Sequence, residues 1–408
     1  MRVLTSFVLA CCFAGSALAA DRGLDPQRLQ RLERLIQADV QKGRIPGAVM
    51  LVARDGRVVM NKAIGKLDAA KEAPMRPDAI FRIYSMTKPI VSVAALMLVE
   101  EGRLQLSDPV SLHIPELKGL KVGVEKGDGL DLVPATREPT VHDLMRHTSG
   151  FTYGVFGKNL VKEEYKKAGV DSWDQSNEEF VKKLSTVPLM SQPGTQWEYS
   201  RSTDVLGVVI ERVSGMPLDL FLETKILKPL GMKDTGFWVP EAKQARIAEA
   251  LAVDPDSRQP VRLIEVREAP KLLSGGGGMV STAADYLRFA RMLLNGGELD
   301  GVRILSRKTV EYMTSNQLAP DVKNMIGLTG DPTRADYGFG LGVAVRLTDG
   351  QAPTPGSAGD YNWGGLGGTY FWVDPKEKLI AIWMMQAPNQ RTYYRGIFRD
   401  MVYAAMTR

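Results

Sequence analysis

One stretch constrains this chain more than any other: Ser85-Met86-Thr87-Lys88-Pro89, followed at once by the apolar run Ile90 to Val99 and then Glu100-Glu101-Gly102. An almost wholly apolar run that stops before a glycine reads as a buried helix, with Gly102 near its C-terminus. Proline has no backbone N–H to donate, so Pro89 has to lie in the first turn of that helix. This puts Ser85 at the helix start, with Lys88 three residues on and on the same face. A serine hydroxyl is a weak nucleophile until a neighbour removes its proton. A lysine buried by apolar neighbours can do so when burial or a nearby cation lowers its proton affinity. The competing reading is an N-cap serine beside a solvated lysine. S-x-x-K occurs once in the chain, a count that chance alone could supply, so its place at a buried helix start is what raises it.

The rest of the chain narrows the chemistry. Neither cysteine, Cys11 nor Cys12, lies beyond the first dozen residues. Those residues read as an export leader: Arg2, an apolar stretch from Val3 to Phe13, and Ala17-Leu18-Ala19 before Ala20. A leader over residues 1–19 implies a periplasmic or secreted protein whose mature chain has no disulfide, thiol nucleophile or cysteine metal site. Two other readings of this segment are lipidation at Cys11 and a membrane anchor, for which the apolar run is too short. The three histidines, His113, His142 and His147, have no metal-ligand spacing. No G-x-S-x-G occurs, which removes the nucleophile elbow of the α/β-hydrolases. The glycine-dense Ser274–Met279 stretch lacks the lysine of a phosphate loop and reads as close backbone packing beside a site. The net charge of +5 comes without a block of like charge, so neither nucleic acid nor a membrane surface is expected as a partner.

The 408 residues suffice for two or three domains. Residues 24–41 have helical spacing with Asp25-Pro26 as cap and first position. Two apolar stretches flank Arg54-Asp55-Gly56, a β-hairpin signal. Residues 104–260 read as short helices and long loops, among them 140–146, 177–184, 202–213 and 218–227. Thr282 caps a helix over 283–295. Strands are expected over 337–345, 370–375 and 378–385, and a last helix over 394–406. Strands at both ends with a helical middle indicate an α+β fold. One antiparallel sheet, built from residues 20–103 and 271–408, would be flanked by helices and carry a mainly helical domain over 104–270.

Three segments together resemble a known family. Ser85-Met86-Thr87-Lys88 resembles the first motif of the serine β-lactamase and penicillin-binding-protein superfamily, class C type. Pro193 to Ser200 resembles the segment of its second motif, which opens Y-x-N in the lactamases. Trp363-Gly364-Gly365-Leu366-Gly367-Gly368-Thr369 stands where K-T-G would be. His147-Thr148-Ser149-Gly150 and Gly275 to Gly278 also fit the family pattern, and the resemblance spans most of the mature chain. Two departures matter: Arg201 stands in place of the Y-x-N asparagine, and Trp363 in place of the K-T-G lysine. An indole has one neutral donor and cannot hold a substrate carboxylate as that lysine does. Tyr199-Ser200 followed by Asp204, and the Trp-Gly-Gly triplet, are closest to the family VIII carboxylesterases, esterases on the class C fold.

The resemblance implies a serine carboxylesterase that forms an acyl-enzyme on small or short-chain esters, with no metal and no cofactor. Ser85 would attack the ester carbonyl. Lys88 and Tyr199 would share the proton transfer, the base being either one. The backbone N–H groups of Ser85 and Leu366 would form the oxyanion hole. Gly364 and Gly365 would let the strand approach the acyl group, and Trp363 would line a substrate pocket. Arg201 is read either as a surface residue or as a substrate contact. Two alternatives stay open: a β-lactamase or D-Ala-D-Ala peptidase, and a catalytically silent binding protein on the same fold.

Overall fold

The computed structural model of the protein describes residues 23–326 and 332–407. The leader read over residues 1–19, with both cysteines, lies outside the described residues.

Eight strands make the main sheet: β1 (Gly47–Arg54), β2 (Arg57–Asp68), β3 (Ala73–Pro74), β4 (Tyr337–Phe339), β5 (Ala344–Arg346), β6 (Tyr361–Gly364), β7 (Tyr370–Asp374) and β8 (Leu379–Met385). Their order across the sheet is β4-β5-β6-β7-β8-β1-β2-β3, with every neighbouring pair antiparallel. The expected sheet drawn from both chain ends is therefore present, and β8 from the C-terminal part lies against β1 from Ala48↔Met385 to Arg54↔Leu379. The β1–β2 hairpin turns at Asp55 and Gly56, at φ 48° and 73°. Positive φ at both central residues gives the twist that matches right-handed strands. The first and last of the described residues meet as well, since the Asp25 N–H donates to Ala405 O at 2.7 Å.

Five helices frame the site: α1 (Pro26–Gln41), α2 (Thr87–Glu100), α3 (Ser202–Ser214), α4 (Ala283–Leu294) and α5 (Arg391–Ala404). Strand side chains alternate between faces, and in β1 both faces are buried. Ala48, Met50 and Val52 share a core with Leu32 and Ile36 of α1 and Phe398 of α5. Val49, Leu51 and Ala53 join the larger core that holds α2, α3 and α4. This is why β1 reads as a continuous apolar run although its pairing is antiparallel. In α1, Asp25 Oδ1 accepts from the Gln27 N–H at 2.8 Å, and Pro26 takes the first position, where no N–H is needed.

Three expectations need correction. The 104–260 region is not only helix and loop: Lys121–Lys126 and Gly129–Pro134 pair as a hairpin. Its signal was the alternation of Val122 and Val124 before Gly127-Asp128, and Gly127 sits at φ 59°. The stretch 337–345 is two strands, β4 and β5, because Gly340 to Val343 turns back. A Cβ at Gly342 would lie 2.3 Å from Ser92 Oγ of α2, so the turn needs glycine there. Residues 218–227 begin as a helix over Leu218–Leu222 and widen into a π-turn over Glu223–Leu227.

Candidate active site

The Ser85 turn is held from several sides. Phe81–Arg82 pairs with Val280–Ser281, and the Ile83 N–H donates to Met279 O at 3.0 Å. Tyr84 then adopts φ 43°. A non-glycine residue there costs roughly 1–2 kcal/mol, so the surroundings must enforce it. The Tyr84 ring is buried, and its hydroxyl accepts from the Ile264 N–H at 3.0 Å. The Tyr286 hydroxyl donates to Met86 O at 2.9 Å. The Met279 N–H donates to Thr87 Oγ1 at 3.1 Å. The chain thus reverses within a short 3₁₀ turn over Tyr84–Met86 and passes straight into α2. Ser85 faces a cavity of about 480 Å³ that Tyr199, Trp363, Gly365 and Leu366 also line. Lys88 is wholly buried, as its apolar neighbours predict.

The structure brings the sequence-predicted triad together. Tyr199 Oη lies 2.6 Å from Ser85 Oγ. Lys88 Nζ donates to Ser85 Oγ at 3.3 Å, to Tyr153 Oη at 3.2 Å and to Gly276 O at 2.6 Å. The lysine nitrogen also sits 4.6 Å from the Tyr199 ring centroid. Rings surround Tyr199: His147 at 5.1 Å, Tyr153 at 5.3 Å, Trp363 at 5.4 Å and Trp197 at 6.1 Å between centroids. A side chain caged on this many sides keeps one orientation, which fixes its oxygen against the serine.

The Trp-Gly-Gly segment closes the other side. Trp363 is only 2% exposed, so it is both a core aromatic and a cavity wall. A Cβ at Gly365 would meet Ile83 O at 2.3 Å, and one at Gly364 would meet the Arg395 guanidinium at 2.5 Å. The end of β6 therefore lies against the backbone that carries Ser85, and bare glycine is what permits it. Leu366 follows at 39% exposure, on the cavity wall that Ser85 shares. The cavity still holds positive charge despite the missing lysine: the Arg334 guanidinium stacks 4.0 Å from the Trp363 ring centroid.

Electrostatics separates the neighbours into roles. Burial, with Lys88 adding to it, pushes the His147 imidazole well below its usual range, so it is neutral. Its Nδ1 lies 3.1 Å from Ser200 Oγ. Burial, reinforced by Asp204, pushes the Tyr153 hydroxyl well up, so it stays a neutral phenol. Arg201 fits neither expectation for it, since it is not on the surface and does not line the cavity. It is 3% exposed and pairs with Asp171 at 3.2 Å and Asp204 at 3.3 Å.

Two partners of Lys88 escaped sequence reasoning. Tyr153 sits three residues past the His147–Gly150 segment, and only that proximity could have flagged it. Gly276 was read as close packing, which holds: a Cβ there would meet Asp204 Oδ2 at 2.5 Å. Its carbonyl as an acceptor for Lys88 was not foreseen.

The Beta-lactamase family model matches residues 32–402. The chain belongs to the β-lactamase family. Among its relatives, Protein Rv1367c of Mycobacterium tuberculosis is 36% identical over 350 residues, 84% of this chain and 86% of the relative. Esterase EstB of Burkholderia gladioli is 30% identical over 403 residues, 92% and 95% of the two chains. The structure of EstCE1, described as a hydrolase with promiscuous acyltransferase activity, superposes with a TM-score of 0.77 at 27% identity. That match covers 92% of this chain and 98% of EstCE1. This β-lactamase-family protein is a serine hydrolase that stands near the family VIII esterases, with the β-lactamase-like fold expected for it.

Proposed function

We propose that the protein is a carboxylesterase that works through an acyl-enzyme on Ser85 and takes small or short-chain acyl groups. One observation carries the acyl-enzyme part of this reading. Tyr199 Oη lies 2.6 Å from Ser85 Oγ, closer than Lys88 Nζ at 3.3 Å, and Lys88 Nζ spends its contacts on three oxygens. Three acceptors match the three donors of an ammonium, which has no lone pair with which to act as base. Tyr199 is then the base and Lys88 the cation beside it.

With Tyr199 entering the step as the phenolate, Ser85 Oγ attacks the ester carbonyl as its proton passes to Tyr199 Oη. Negative charge develops on the carbonyl oxygen, where the backbone N–H groups of Ser85 and Leu366 would receive it; one such donor is typically worth about 10²–10³ in rate. The tetrahedral species collapses, the C–O bond breaks, and the leaving alkoxide takes the proton from Tyr199. Water, or an acceptor alcohol, then repeats the sequence on the acyl-enzyme with Tyr199 again as base. Trp363 gives the cavity one apolar wall, which supports an acyl group with an apolar face. Export through the leader belongs to the same proposal, and a mature N-terminus at Ala20 would support it.

The test compares p-nitrophenyl butyrate with a chromogenic cephalosporin on purified protein. Much faster turnover of the butyrate, lost in Ser85→Ala, is expected. Faster turnover of the cephalosporin would replace this reading with a β-lactamase.

A further inference from the structure

We propose that Arg201, together with Asp171 and Asp204, is a positioning unit that holds the two non-nucleophilic partners of Lys88. The proposal rests on the acyl-enzyme reading of Ser85. Arg201 does not touch Lys88. It lies behind it, its guanidinium carbon 5.5 Å from the Tyr153 ring centroid. Each carboxylate it pairs with grips one arm of the lysine's environment. Asp204 Oδ1 accepts from the Gly276 N–H at 3.1 Å and from the Ser274 hydroxyl. The carbonyl of that same Gly276 is the shortest acceptor for Lys88, at 2.6 Å. Asp171 Oδ2 accepts from the Gly154 N–H at 2.8 Å, the residue after Tyr153, whose hydroxyl is the second acceptor for Lys88. Arg201 also donates to Val170 O at 2.9 Å, which ties down the residue before Asp171.

Three features mark this as more than a buried ion cluster. The two carboxylates come from separate segments, Asp171 from the loop after Val170 and Asp204 from the first turn of α3, and Arg201 pairs with both. Each reaches Lys88 through a single peptide or residue. Both Gly276 and Gly154 are glycines that leave no room for a Cβ: it would meet Asp204 at 2.5 Å in one case and Asp171 at 2.8 Å in the other. Where the lactamase motif has an asparagine, this chain has an arginine whose effect on the lysine passes through its two acceptors. A shift of about 1 Å in a reacting group can lower the rate on the order of 10²-fold.

The test uses the full mature chain and four substitutions. Asp204→Asn and Asp171→Asn keep shape but remove the charge that grips each arm. Ser274→Ala removes one bond to Asp204 and serves where Asp204→Asn does not fold. Asp360→Asn, in a buried cluster with Arg346 and Arg399 away from the cavity, controls for the loss of a buried ion pair. Each is measured for melting temperature, for kcat and KM on p-nitrophenyl butyrate, and for the rate at which Ser85 reacts with a fluorophosphonate, per folded molecule. We expect Asp204→Asn and Asp171→Asn to lower kcat and the labelling rate by about 10- to 100-fold with KM within about 2-fold. Asp360→Asn should lower the melting temperature comparably with kcat unchanged. Unchanged labelling in folded Asp204→Asn, or in Ser274→Ala in its place, together with Asp171→Asn, would overturn the proposal while leaving the acyl-enzyme reading intact. A wild-type chain that is never labelled would overturn both.

Discussion

Among the described residues, two of the clusters of buried charge differ in an instructive way. At the first, one cation serves two carboxylates: Arg201 between Asp171 and Asp204. At the second, one carboxylate serves two cations: Asp360 between Arg346 and Arg399, with the Tyr337 hydroxyl donating to it at 3.1 Å. Arg201, Asp204 and all three members of the second cluster are buried, and Asp171 is mostly so. Burial raises the Asp360 carboxyl, and the two arginines oppose that. What separates the clusters is their surroundings. The first is one residue away from two of the three acceptors of Lys88. The second is built into structure: Arg346 donates to Thr354 O, and Arg399 to Pro355 O, so the loop before β6 is fastened between β5 and α5. A buried ion cluster is therefore no sign of function by itself; what it touches decides.

The largest effect that sharpens this contrast lies on the first side. Tyr199→Phe is expected to lower kcat/KM by about 10²–10⁴, with the thermal midpoint little changed because the ring cage remains. On the second side, Asp360→Asn is expected to lower stability by about 3–5 kcal/mol, as for a buried pair that loses one partner, with kcat/KM per folded molecule unchanged. A matched loss of kcat would erase the distinction between the clusters.

Asp143 extends the comparison to a buried carboxylate whose partner Arg137 is half-exposed. Burial opposes its ionisation, but hydrogen bonds from Arg137, the Thr140 N–H and Thr148 outweigh this and bring its carboxyl down to about 2. A folded-state value below the ordinary 3.8 means stability that is fully present above pH 4 and lost as pH falls through 2. Asp143→Asn should therefore lower stability by about 2 kcal/mol at pH 7. The gap to wild type should narrow between pH 4 and pH 2 in denaturant titrations. The smallest effect belongs to the surface: Glu311→Gln, which removes the exposed pair with Arg307, should leave the melting temperature unmoved.

The legible part of the site was the part written locally. Ser85 and Lys88 are three residues apart on a helix whose burial the apolar run announces. Tyr199 and Trp363 to Gly365 were found through motif order rather than periodicity. The sheet from both chain ends followed from strands at both ends around a helical middle. What stayed hidden depends on contacts between distant segments. Whether Arg201 is solvated or buried is decided by Asp171, thirty residues earlier in a loop with no periodic pattern. Tyr153 was one aromatic among many until folding placed its hydroxyl 3.2 Å from Lys88. The Gly340–Val343 reversal was hidden because the apolar character continues through it, and the steric demand that splits the strand comes from Ser92 on another element.

The central claim is that Ser85 carries the acyl group. Intact mass of the protein, quenched rapidly during turnover of p-nitrophenyl butyrate, tests it most directly. A species heavier by one butyryl group is expected, located to the peptide that contains Ser85 and absent from Ser85→Ala. Turnover with no such adduct, or an adduct that persists in Ser85→Ala, would contradict it.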